Sequence, residues 1–111
     1  MVNLLKYRDV AEYLDETRAC SGRDAYKTYS MTALRKIREV GGQPVWMGKV
    51  AGCVIVPDGE DWDDVLLVRY PSVEAFRKML ADPEYRKATL HRTAALEDAR
   101  LIATLETDFA Q

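Results

Sequence analysis

Four apolar residues in a row, Val65-Leu66-Leu67-Val68, run straight into Arg69-Tyr70-Pro71-Ser72, and no other stretch limits the possible folds of this chain so strongly. Successive side chains of a strand point to opposite sides, so an unbroken apolar run presents oily groups on both faces of its sheet. Each face needs cover. Proline cannot donate to a ladder, so Tyr70-Pro71 ends the strand, and Ser72 is a good N-cap for a helix in which Val73, Phe76, Met79 and Leu80 share one side. That helix covers one face only.

The other elements follow from periodicity. Val2 to Arg8 predicts a first strand, with Leu5 and Tyr7 on one face and Val2 and Leu4 on the other. Asp9 to Arg23 predicts a partly helical excursion built on Val10, Tyr13 and Leu14. From Asp24, the residues Tyr26, Tyr29, Ala33, Ile37 and Val40 recur every three or four positions, predicting a long helix; Ser21 caps its start and Gly41-Gly42 supplies a left-handed stop. Pro44 to Val56 predicts a second strand with a bulge near Gly48 to Gly52, and Pro57 to Asp63 an acidic turn. Asp82-Pro83 restarts a short helix, His91 to Glu97 is expected to add another helical turn, and Ala99 to Glu106 alternates as a final strand.

The order strand, helix, strand, strand, helix, strand fits a single α+β domain over residues 1–111: a ferredoxin-like βαββαβ antiparallel sheet with its helices on one face. The opposite face then carries roughly four to six large apolar side chains, each worth about 1.5 to 3 kcal/mol when buried. A second copy packed sheet to sheet is the simplest cover, so a homodimer is expected.

Composition narrows the function classes. Sixteen basic against 18 acidic residues give a net charge of -2, leaving no basic excess for nucleic acid or an anionic membrane. No apolar run reaches membrane length, and Lys6, Arg8 and Asp9 interrupt the only place for a signal peptide, so a cytoplasmic location is expected. Cys20 and Cys53 lack metal-ligand spacing, and neither metal nor organic cofactor is expected. Gly41-Gly42 and Gly48 to Gly52 make neither a Walker loop nor a dinucleotide turn. RNA-recognition domains share the βαββαβ order but stack bases on aromatics that Val65 to Val68 lacks.

Val40-Gly41-Gly42-Gln43-Pro44-Val45-Trp46, Trp62, Arg69-Tyr70-Pro71-Ser72, Ala75-Phe76 and Asp82-Pro83-Glu84-Tyr85 together resemble the family called domain of unknown function 1330, from about Asp24 onward. The resemblance implies a ferredoxin-like dimeric α/β barrel, related in architecture to small cofactor-free monooxygenases, isomerases and decarboxylases, and implies no established activity. The chain departs from the family pattern in its longer Asp9 to Arg23 connection. It also has Met47-Gly48-Lys49 where relatives more often place an arginine before glycine, which leaves any anion-binding role of that arginine without a bearer here.

His91, the only histidine, is the candidate catalytic acid or base, because its ordinary pKa lies near neutrality. The plainer reading, a helix-end histidine beside Arg92, stands ahead of it. Tyr26, Tyr29, Trp46, Tyr70, Phe76 and Tyr85 are the aromatics that can converge between sheet and helices, as core or as a pocket for a flat ligand. Tyr70 and Tyr85, at element ends, are the stronger pocket candidates, with Trp46 and Tyr26 beside them. Arg38, Lys49, Arg69 and Arg92 can hold a carboxylate or enolate, with Arg69 and Arg92 the stronger candidates, and the plain alternative is an ion pair. Asp58, Glu60, Asp61, Asp63 and Asp64 read as a solvated acidic turn without calcium-loop spacing. Two functions remain: a small-molecule pocket protein, acting if at all as a cofactor-free enzyme on a small organic substrate, or a non-catalytic homodimeric assembly or ligand-sensing module.

Overall fold

The computed structural model describes residues 1–14 and 19–109. Strands β1 (Val2–Tyr7), β2 (Gln43–Lys49), β3 (Asp64–Arg69) and β4 (Leu96–Ile102) form one antiparallel sheet in the order β2-β3-β1-β4. The apolar strand β3 is central, as its composition requires. β1 pairs it with Val2 opposite Leu67 and Leu4 opposite Val65. Because opposed residues share a face, Val2, Leu4, Val65, Leu67 and Ile102 fall on one side of the sheet, and Leu5, Tyr7 and Val68 on the other.

The second side carries the helices α1 (Gly22–Glu39), α2 (Val73–Ala81) and α3 (Pro83–Ala95). A single core joins Leu5, Tyr7 and Val68 to Tyr26, Tyr29, Ala33 and Ile37 of α1, Met79 of α2, and Tyr85, Ala88, Ala94 and Ala95 of α3. The expected ferredoxin-like arrangement is therefore present, with its second helix broken in two. Asp82 makes the break: its carboxylate accepts from the Glu84 and Tyr85 N–H groups, and Pro83 occupies the first helical position. Ser21 accepts from the Asp24 N–H and Ser72 from the Ala75 N–H, both as serine caps should. Gly41, at φ 84°, takes the left-handed conformation that ends α1.

Four expectations need correction. Residues 8–14 form no helix; Val10 and Leu14 are exposed, and residues 15–18 of the expected excursion lie outside the described residues. β2 stops at Lys49, and its irregularity falls between Pro44 and Trp46 instead of at Gly48 to Gly52. Gly48 has a different reason to be glycine: a Cβ there would lie 2.2 Å from the Trp46 indole, which crosses it. Val54 and Ile55 belong to a loop, each 93% exposed, because no neighbouring strand is there to pair with them. The short helix after Asp82 and the turn expected at His91 to Glu97 form one helix that ends at Ala95, and β4 accordingly begins at Leu96 and ends at Ile102, earlier than the alternation at Ala99 to Glu106 predicts. The alternation misleads because residues 103–106 belong to no strand of the sheet.

The acidic turn also divides. Asp58 and Asp61 are exposed, but Trp62 is buried with the Arg100 guanidinium 5.0 Å above its ring. Asp64, the first residue of β3, is only 5% exposed. Lys36, placed by the sequence off the apolar stripe of α1, is likewise covered: its ammonium reaches the Asp82 carboxylate at 2.8 Å and Glu39 and Glu84 at 3.1 and 3.3 Å. Arg35 joins the same group through Glu84. This network ties the C-terminal half of α1 to the start of α3.

Candidate functional site

Between α1, α3 and the sheet lies a cleft of about 750 Å³. Its position follows from helical spacing. Tyr26, Tyr29, Ala33 and Ile37 on α1 and Tyr85, Thr89 and Arg92 on α3 each step by three or four residues, so each set forms one stripe toward the sheet. The sheet contributes Asn3, Tyr7, Asp64, Leu66 and Val68, and Phe76 and Leu80 of α2 close one end. Size and lining suit a compact organic molecule, since ligand pockets run from about 300 to 1,000 Å³ with mainly apolar walls and a few polar groups.

The aromatic rings form a chain. Tyr7 meets Tyr26 at 5.5 Å between centroids, Tyr26 meets Tyr29 at 5.3 Å, and Tyr29 meets Tyr85 at 6.1 Å, all tilted or edge to face. The Tyr29 and Tyr85 hydroxyls are 2.8 Å apart, so one donates to the other. Tyr70 packs edge-on against Phe76 at 5.1 Å. Burial pushes the phenols of Tyr7, Tyr29 and Tyr70 well above the ordinary tyrosine range. It raises Tyr26 as well, against an opposing pull from the positive charge of Arg92. These hydroxyls stay protonated across the neutral range, so they serve as hydrogen-bond donors and acceptors and not as bases.

At one end the Tyr7 hydroxyl donates to the Asp64 carboxylate at 2.7 Å, and Arg23 reaches the same oxygen at 3.4 Å while its guanidinium lies 4.5 Å above the Tyr7 ring. Asp63 accepts from the Tyr7 backbone N–H at 2.8 Å. This trio of Tyr7, Asp64 and Arg23 is the polar feature that sequence reasoning missed. The available signal was Asp64 sitting directly before an apolar central strand, where an acid must find a donor or cost several kcal/mol.

Tyr26, Tyr70, Tyr85 and Arg92 come together on the cleft, as does Trp46 at its rim, although the Trp46 indole lies across Gly48 and its register partner Leu67 belongs to the helix-free face. His91 and Arg69 do not join them. His91 follows its own direction on α3, about 100° from Arg92, and its Nδ1 is 2.6 Å from the Tyr13 hydroxyl. Arg69 is on the helix-free face, 3.8 Å from Glu106. Among the described residues, no group of three or more His, Cys, Asp or Glu side chains is placed to hold a metal ion, and no helix is long and apolar enough to cross a membrane.

Two solved structures share this architecture. One, a methylated RPA0582 protein, is 38% identical with a TM-score of 0.92 and is matched over 99% of this chain and 81% of its own. The other, the RPA0582 protein of unknown function from Rhodopseudomonas palustris, is 42% identical with a TM-score of 0.84, over 91% of this chain and 75% of its own. No curated protein matches. A family model covers residues 13–105, most of the chain and the cleft lining apart from Met1, Asn3 and Tyr7, and the chain belongs to that family, the domain of unknown function 1330.

Proposed function

We propose that this protein is a homodimeric small-molecule-binding protein whose ligand occupies the cleft between α1, α3 and the sheet. The observation that carries the reading is the 750 Å³ space walled by tyrosines and aliphatic groups, with Arg92 among its lining residues. Rings supply apolar contact and hydroxyls orient the guest. The natural test is a thermal-shift screen with compact aromatic and alicyclic compounds, repeated on Ser30→Trp. Ser30 is half-buried on the cleft wall, so a tryptophan there fills the space without entering the core. Compounds that raise the melting temperature of the parent and not of Ser30→Trp support the reading; hits indifferent to the substitution contradict it.

The dimer has separate support. Val2, Leu4, Val65 and Leu67 are half-buried and Ile102 is exposed on a face without helices. The radius of gyration, 15.1 Å, exceeds the about 13 Å of a compact chain this long. The excess fits a subunit whose loop and C-terminal segment reach outward, exposing Val54, Ile55, Leu105 and Phe109. Light scattering should give twice the 12.6 kDa chain mass at micromolar concentration; a single-chain mass would remove this part of the proposal. The reading of an assembly or sensing module without catalysis is favoured by His91 bonding to Tyr13 away from the cleft.

A further inference from the structure

Charge in this protein is segregated. The chain is net acidic, at -2, yet the cleft is lined by the basic side chains of Arg23, Lys27 and Arg92 and by a single acid, Asp64. Asp64 already has its partners in Tyr7 and Arg23. The positive charge left over is that of Arg92 and Lys27, and among the described residues neither has a carboxylate within ion-pair distance. The two cations differ in surroundings. Lys27 is exposed at the mouth, where water serves it, but Arg92 is half-buried on the inner wall beside the hydroxyl of Tyr26.

Resting on the cleft as the binding site, we infer that the ligand is an organic anion, a carboxylate on a flat apolar body. The carboxylate meets the Arg92 guanidinium and the Tyr26 hydroxyl, and the body lies along Leu66 and Phe76. Three physical points lead there. A guanidinium withdrawn from bulk water and lacking an acid partner gains most from a planar two-oxygen acceptor, which its parallel N–H groups match. A phenol that stays protonated donates to such an acceptor without competing for its charge. A cleft whose charged side chains are positive on balance, between apolar walls, concentrates the oppositely charged solute. Lys27 at the mouth then draws the anion in without forming the tight contact.

The experiment uses two probes of equal shape, 2-naphthoate and 2-naphthamide, titrated calorimetrically into the full chain and into Arg92→Met and Arg92→Lys. The parent should bind the acid at least about tenfold more tightly than the amide, a ratio that shrinks as salt is raised. Arg92→Met should bring the ratio to within about twofold by weakening the acid alone, and Arg92→Lys should keep part of it. Equal binding of acid and amide by the parent overturns the inference while leaving the cleft reading intact. Binding of neither probe overturns both. Should Arg92→Met fail to fold, the parent's acid-to-amide ratio and its salt dependence decide the matter without it.

Discussion

Asp64 is a carboxylate made tolerable in a buried place by two donors, and its replacement separates hydrogen bonding from volume. Asp64→Asn keeps the shape but gives Tyr7 and Arg23 a weaker acceptor, and should cost about 1 to 3 kcal/mol in urea unfolding, as the loss of charge-assisted hydrogen bonds does. An unchanged urea midpoint would mean that the pair contributes nothing. The tyrosines make a second prediction. Their folded-state pKa values lie above those of the unfolded chain, so between the two the folded form holds more protons. Their contribution is complete below about pH 10, the unfolded value, and declines as pH climbs above it. Urea midpoints should therefore stay level, as far as these groups decide, from pH 7 to 9 and fall beyond pH 10, with a shallower fall in Tyr29→Phe. An equal decline in that variant would exclude Tyr29 as a contributor. The tyrosine stripe of α1 was legible from its spacing, because burial on a helix repeats every three or four residues. Asp64 was harder to read: its place directly before the apolar run was the one local signal, and the line of acids around it masked that signal.

The break between α2 and α3 is fixed by Asp82, which caps one helix and receives Lys36 from another. Ser72→Ala, which removes a cap of α2 only, should cost about 1 kcal/mol. Asp82→Ala should lower the urea midpoint further, since it strands Lys36 as well; a smaller effect than that of Ser72→Ala would show the network to be incidental. The hydrogen bond from Lys36 holds the Asp82 carboxyl below its ordinary range, and that from Arg35 does the same for Glu84. This stabilisation is present above about pH 4 and is lost as pH falls through the lowered values. Both helix starts were legible, because Ser72 and Asp82-Pro83 carry their cap chemistry locally. The end of α3 was overshot, at Glu97 instead of Ala95, since its buried side is largely alanine at Ala88, Ala94 and Ala95, which gives little periodic signal. The end of β2 was also hidden, for valines and isoleucine between Val50 and Val56 read as strand until the absence of a pairing neighbour is known.

The molecule as a whole is a four-stranded sheet with one face closed by helices, and its cleft sits where α1 and α3 stand over β3. The unbroken apolar run of β3 made that topology readable, because both faces of the strand had to be buried or paired. The cleft was only half readable: Tyr26, Tyr70, Tyr85 and Arg92 converge, whereas His91 turns away by one helical step and Arg69 by one strand step. Amide chemical shifts of the isotope-labelled protein, followed by nuclear magnetic resonance as 2-naphthoate is added, show residue by residue whether the cleft takes the ligand. Occupancy of the cleft gives saturable shifts gathered at Tyr26, Tyr29, Tyr85, Thr89 and Arg92. Shifts confined to the helix-free face around Val2, Val65 and Leu67, or none at millimolar probe, would contradict it.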